Sequence, residues 1–164
     1  MKAIMMSIRP EWVAKILNKE KTIEVRKHFP SDYVGWVYIY ATKKYDECLW
    51  YKKDSKCYVL NYGKPTNDYL NGKVVARFWC DKVSPTYEYY EEEICDLACI
   101  TKQEYLDYLG YDDGYAIHIT KLEIFDKPKE ISKFKPYNIK KHHVFNNFKL
   151  TRAPQSWCYV EVDQ

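Results

Sequence analysis

The stretch ILNKEKTIEVRK, Ile16 to Lys27, changes its period halfway along. Trp12, Val13, Ile16 and Leu17 form one apolar stripe at helical spacing, and Pro10 suits the first turn of that helix, where its missing N–H costs nothing. From Thr22 the chain alternates instead, with Thr22, Glu24 and Arg26 on one side and Ile23 and Val25 on the other. That alternation predicts a strand from Thr22 to Arg26 whose β-branched side meets a core. Its polar side either meets water or lines a groove in which a carboxylate and a guanidinium face a ligand.

Working outward, AIMMSI (Ala3 to Ile8) reads as a strand before the helix, and HFPSDYVG (His28 to Gly35) as a loop. GWVYIYATKK has apolar residues on both faces, as a central strand does. Lys43 to Gly72 holds no sustained period and many turn formers, which predicts an irregular insertion. GKVVARFWCDKV is a further strand, with Val74, Ala76, Phe78 and Cys80 on the apolar side. In TKQEYLDYLG, Thr101 and Glu104 have capping-box spacing and Gly110 is a stop, so a second helix is expected there. YAIHITKLEIF and the closing WCYVEV complete the strands. The whole, residues 1–164, is expected to be one α+β domain, a partly closed β-barrel with short flanking helices and an insertion around 43–72.

Composition excludes several classes. An aromatic content of 17%, with 17 tyrosines, favours β structure over disorder. The apolar run at the N-terminus is too short for a signal peptide and none is long enough to span a bilayer, so the expectation is a cytoplasmic protein with no membrane partner. Six cysteines are then expected as reduced thiols. Cys95, Cys99, His142 and His143 match no common zinc spacing, and neither a metal nor a cofactor is predicted.

Charge is uneven along the chain. Lys121 to Arg152 has nine basic and three acidic residues, a candidate phosphate-facing stretch with Lys140 and Lys141 as peripheral contacts. Tyr87 to Asp96 carries five acids and no base, and reads as a solvated loop pointing elsewhere. Only four arginines stand against 22 lysines: Arg9, Arg26, Arg77 and Arg152. Guanidinium at these places suggests forked, fixed hydrogen bonding, the plain alternative being a buried ion pair of Glu24 with Arg26 or Arg77. His118, in an apolar strand, reads as a hydrogen-bonded core histidine.

SIRPEWVAKIL followed by KTIEVR, the strands VYIYAT, GKVVARFW and YAIHI, and the ending RAPQSWCYV together resemble the ASCH family of the PUA-like superfamily. The resemblance covers nearly the whole chain. It implies a PUA-like pseudobarrel that binds RNA or a modified nucleotide in a cleft beside the K-T-x-E-x-R motif. The implied site comprises Arg9, Lys21, Thr22, Glu24, Arg26, Arg77, Arg152, Gln155, Ser156 and Trp157. One branch of the family hydrolyses the amide of N4-acetylcytidine with a Lys and a Thr. Here Lys21 is kept and Glu24 stands where that Thr would be, so a nucleoside amidohydrolase built on Lys21 and Glu24 is the alternative, and a ribonuclease a further one. The family's usual Gly at the helix-to-strand turn is Lys19 here, so either Lys19 or Asn18 must adopt the left-handed conformation.

Overall fold

The computed structural model describes residues 1–44, 47–50, 57–61, 69–137 and 149–162. Strand β1 (Lys2–Ile8) leads into helix α1 (Pro10–Leu17), then β2 (Ile23–Arg26) and β3 (Gly35–Ala41). After β4 (Glu47–Trp50) and β5 (Tyr58–Asn61) come β6 (Val74–Cys80) and β7 (Val83–Pro85). Helices α2 (Glu91–Ala98) and α3 (Lys102–Leu109) precede β8 (Tyr115–His118), β9 (Thr120–Lys129), β10 (Lys135–Pro136) and β11 (Trp157–Glu161). The fold is α+β with mixed sheets. Among the described residues the strands form a six-stranded sheet ordered β10-β11-β1-β3-β6-β9, a three-stranded sheet β2-β8-β7 and the hairpin β4-β5.

The alternation in the large sheet creates two apolar faces. Ile4, Met6 and Ile8 of β1 join Val37, Ile39 and Phe78 in a core shared with Val13 and Ile16 of α1. Met5, Tyr38, Tyr40 and Val160 face the other way, onto Phe134. β1 runs parallel to β3, with α1 and β2 in the crossover, and antiparallel to β11, which brings the two ends of the described chain side by side.

Three segments depart from the alternation read along the chain, each for a tertiary reason. YAIHITKLEIF is two strands: the chain crosses at Ile119, whose N–H donates to the Thr22 carbonyl at 2.9 Å, and leaves the small sheet for the large one. The acidic stretch expected as a solvated loop is in large part α2. Its Ile94, Cys95 and Ala98 are buried against Ile23 and Val25, while the acids point outward. A charge run conceals such a helix, because only its inner stripe carries the apolar signal. Within the aperiodic 43–72 region β4 and β5 pair in register, and Asn71 fastens the stretch by accepting from Leu49 N–H at 2.8 Å and donating to the carbonyls of Thr42 and Glu47.

At the end of α1, Lys19 takes the left-handed conformation, φ 61°, and Asn18 stays helical. The reason is that the Asn18 side chain is committed elsewhere: its Oδ1 accepts from Cys57 N–H at 2.7 Å and its Nδ2 donates to the Cys57 carbonyl at 2.8 Å. Among the described residues no helix is long and apolar enough to cross a membrane. His118 is half-buried, its Nε2 lies 2.7 Å from the Tyr89 hydroxyl, and burial lowers its pKa.

Candidate functional site

β2 is held from both sides before it presents anything. Ile23 and Val25 sit in the core with α2, the Thr22 N–H donates to the Leu97 carbonyl at 2.9 Å, and β8 pairs antiparallel along its length. Gly114 permits the tight closure at the far end. A Cβ there would lie 2.8 Å from both the Arg26 carbonyl and Leu109 Cδ2, contacts that no side chain tolerates. With its backbone pinned, the strand turns Glu24 and Arg26 toward a cavity of about 630 Å³.

Glu24 is buried and lies between two cations: Lys21 Nζ is 3.3 Å from one carboxylate oxygen and Arg26 Nη2 is 2.9 Å from the other. Both cations also have neutral acceptors. Lys21 Nζ donates to the Ala98 carbonyl at 2.6 Å, and Arg26 Nη2 donates to the Ser7 carbonyl at 2.7 Å. The Lys21 side chain is only 3% exposed, and its ammonium has both a charge partner and a hydrogen-bond acceptor, as a buried cation requires. The ammonium therefore ties α2 to β2, and the guanidinium ties β2 to β1. Ser7 extends the set by donating its hydroxyl to the Pro154 carbonyl at 2.6 Å, which positions Gln155 and Ser156 at the cavity wall.

Of the residues expected from sequence, the structure gathers Arg9, Lys21, Glu24, Arg26, Gln155 and Ser156 around this cavity. Four others do not line it. Thr22 is exposed beside α2. Arg77 lies on the far face of the large sheet, where its Nε donates to Glu123 at 2.7 Å and its guanidinium stacks 4.0 Å from the Trp36 ring centroid. Arg152 is exposed. Trp157 donates its indole N–H to the His28 carbonyl at 2.8 Å and packs edge-on against Phe29 and Tyr159. Lys140 and Lys141, with His142 and His143, lie outside the described residues. Of the two ion pairs weighed for Glu24, the one formed is with Arg26.

The part of the wall supplied by α1 and α3 escaped the sequence reading. Glu11 and Trp12 of α1, and Glu104, Asp107 and Tyr108 of α3, line the same cavity. Glu104 had announced itself only as a capping residue, and it does cap: its carboxylate accepts from Thr101 N–H at 2.8 Å while its own N–H donates to Thr101 Oγ1. Burial, then the nearby Glu47 carboxylate, raises the Glu11 pKa. No pattern within α3 distinguishes its cavity face from solvent.

No protein-family model and no curated protein sequence matches the chain. The fold is nevertheless found among solved structures, and it is that of an ASCH domain. The crystal structure of the ASCH protein of Zymomonas mobilis matches 97% of this chain and 87% of its own, with a TM-score of 0.59 at 15% identity. Two point variants of that protein give TM-scores of 0.60 and 0.61, also at 15% identity, covering 98% and 97% of this chain and 91% and 88% of theirs.

Proposed function

We propose that this chain is a binding module that holds a single base, in RNA or as a free modified nucleotide or nucleoside, in the cavity beside the Lys21-Thr22-x-Glu24-x-Arg26 strand. The observation that carries this reading is the buried Lys21–Glu24–Arg26 set at the cavity wall. A carboxylate fixed by two cations is an oriented acceptor for a base's amino group, and the cations beside it can donate to ring nitrogens or carbonyl oxygens. The cavity volume falls within the roughly 300–1,000 Å³ typical of small-molecule sites. In this reading the sheets curl into the partly closed PUA-like barrel, and the cavity opens beside it.

The test is incubation of the purified chain with RNA oligomers and modified nucleosides, followed by mass spectrometry of retained ligands and of products. Retained ligand, with affinity falling about tenfold or more in Glu24→Gln as a charge-assisted hydrogen bond is weakened, is the expected result. Retention indifferent to that substitution would place the ligand elsewhere. A hydrolytic reading has one observation in its favour, the 3.3 Å approach of Lys21 Nζ to Glu24 at the cavity wall. It requires the carboxylate to activate water while the ammonium polarises an amide carbonyl. Its signature in the same experiment is a deacylated nucleoside that disappears in Glu24→Gln.

A further inference from the structure

We infer that the base held beside β2 is guanine with an unsubstituted Watson–Crick edge. The inference rests on the binding reading above and adds the identity of the base. The ion pairs fix an order along the cavity wall, because Arg26 Nη2 lies 2.9 Å from one Glu24 oxygen and Lys21 Nζ lies 3.3 Å from the other. The wall therefore runs donor, acceptor, acceptor, donor. Guanine presents the complement: O6 as acceptor, N1–H and N2–H as donors, and N3 as acceptor. Adenine has one donor beside one acceptor, uracil one donor between two acceptors, and cytosine one donor beside two adjacent acceptors. Each of these leaves one of the Glu24 oxygens without a donor from the base.

The three side chains have the spare capacity that this match needs. Each carboxylate oxygen has two lone pairs, and each Glu24 oxygen has one cation partner, so each can accept once more. At the Arg26 end, Nη2 is fully used by Glu24 and by the Ser7 carbonyl at 2.7 Å, and Nε is enclosed without a partner. Nη1 reaches only Ser156 Oγ, at 3.5 Å, and both Arg26 and Ser156 line the cavity. A guanidinium only 11% exposed and this short of acceptors is the second observation that points to a ligand. One nitrogen to spare suits the single O6 of guanine, whereas N3 and O2 of cytosine lie side by side and call for two. At the other end, Lys21 Nζ serves the Ala98 carbonyl and Glu24. Its third N–H has no acceptor among the described residues, the Trp12 ring centroid being 5.5 Å away.

The experiment is titration calorimetry on the full chain with the 5′-monophosphates of guanosine, inosine, adenosine and cytidine, and with single-stranded RNA pentamers UUXUU carrying each base at X. Inosine differs from guanosine only in lacking the N2 amino group. In whichever form binds, guanine is expected to bind about tenfold or more tighter than hypoxanthine, since one hydrogen bond to a charged acceptor is lost, and tighter still than adenine or cytosine. Glu24→Gln turns one acceptor into a donor, so guanine and adenine should come to within about threefold of each other while circular dichroism stays unchanged. A guanine preference that survives Glu24→Gln would overturn the inference, because the base would then be read elsewhere. Hypoxanthine, adenine or cytosine bound as tightly as guanine, with Glu24→Gln weakening them all, would overturn it and leave the binding reading standing. Failure of every nucleotide and pentamer to bind would also overturn it, and the binding reading falls too if no modified nucleoside is retained.

Discussion

Two arginine–glutamate pairs in this molecule use the same chemistry in opposite settings. Arg26 and Glu24 meet at 2.9 Å with side chains 11% and 7% exposed, and Arg77 and Glu123 meet at 2.7 Å with side chains 29% and 48% exposed. Distance does not separate them; burial does. The Arg77 pair is screened by water and its guanidinium is supported by the Trp36 face and by the Tyr38 hydroxyl at 3.2 Å, so it staples two strands of a sheet that is already well packed. The Arg26 pair is part of a four-way junction of β1, β2, α2 and Lys21 in which each charge depends on the others. Removing one partner there strands a desolvated charge, whereas removing Arg77 returns Glu123 to solvent.

The sharpest way to break this contrast is Glu24→Ala, which leaves Lys21 and Arg26 buried without their counterion. A loss of about 3–5 kcal/mol in urea unfolding is expected. Glu24→Gln keeps the shape and two hydrogen-bonding groups, so it should cost clearly less and is the variant for ligand work. A loss equal to that of an exposed pair would mean that the junction is hydrated in solution.

Ile94→Ala sharpens the comparison from behind, because Ile94 is fully buried in α2 against β2. Truncation of a core Ile costs about 2–5 kcal/mol, and here ligand affinity should fall with it, since α2 carries the carbonyl that holds Lys21. Arg77→Ala should cost no more than about 1 kcal/mol in the same assay and leave ligand retention unchanged. Lost retention in Arg77→Ala would join the far face of the sheet to the site.

The smallest effect is a change of slope. Glu11 has a raised carboxyl pKa, so its contribution to stability is fully present below the unfolded value of about 4.5 and is lost as pH rises through the higher folded value. Glu11→Gln should therefore flatten the fall in thermal stability across the window just above pH 4.5, measured by unfolding at closely spaced pH values. An unaltered slope would mean that Glu11 is solvated at the cavity wall.

Much of the architecture was legible because local period and local chemistry agreed. The β1–α1–β2 beginning, the strands β3, β6 and β11, and α3 with its Thr101–Glu104 box all follow from patterns a few residues long. Helix α2 was not legible, because its outward face is a run of acids, and neither was the crossing at Ile119, because alternation continues through it. The cavity was half legible. Its β2 wall announced itself by a carboxylate and a guanidinium alternating with aliphatics. Its α3 wall did not, since Glu104, Asp107 and Tyr108 suit any solvated helix.

By itself the sequence determined that Glu24 and Arg26 share one face of a strand, since side chains two apart on a pleated backbone must point the same way. Only the tertiary structure decided what that face meets. It brought Lys21 back onto the carboxylate, gathered α1 and α3 around the same cavity, and sent Arg77 to the far side of the sheet. Side-chain direction follows from backbone geometry within a few residues, whereas burial and partners depend on segments far apart in sequence that pack together only once the chain is folded.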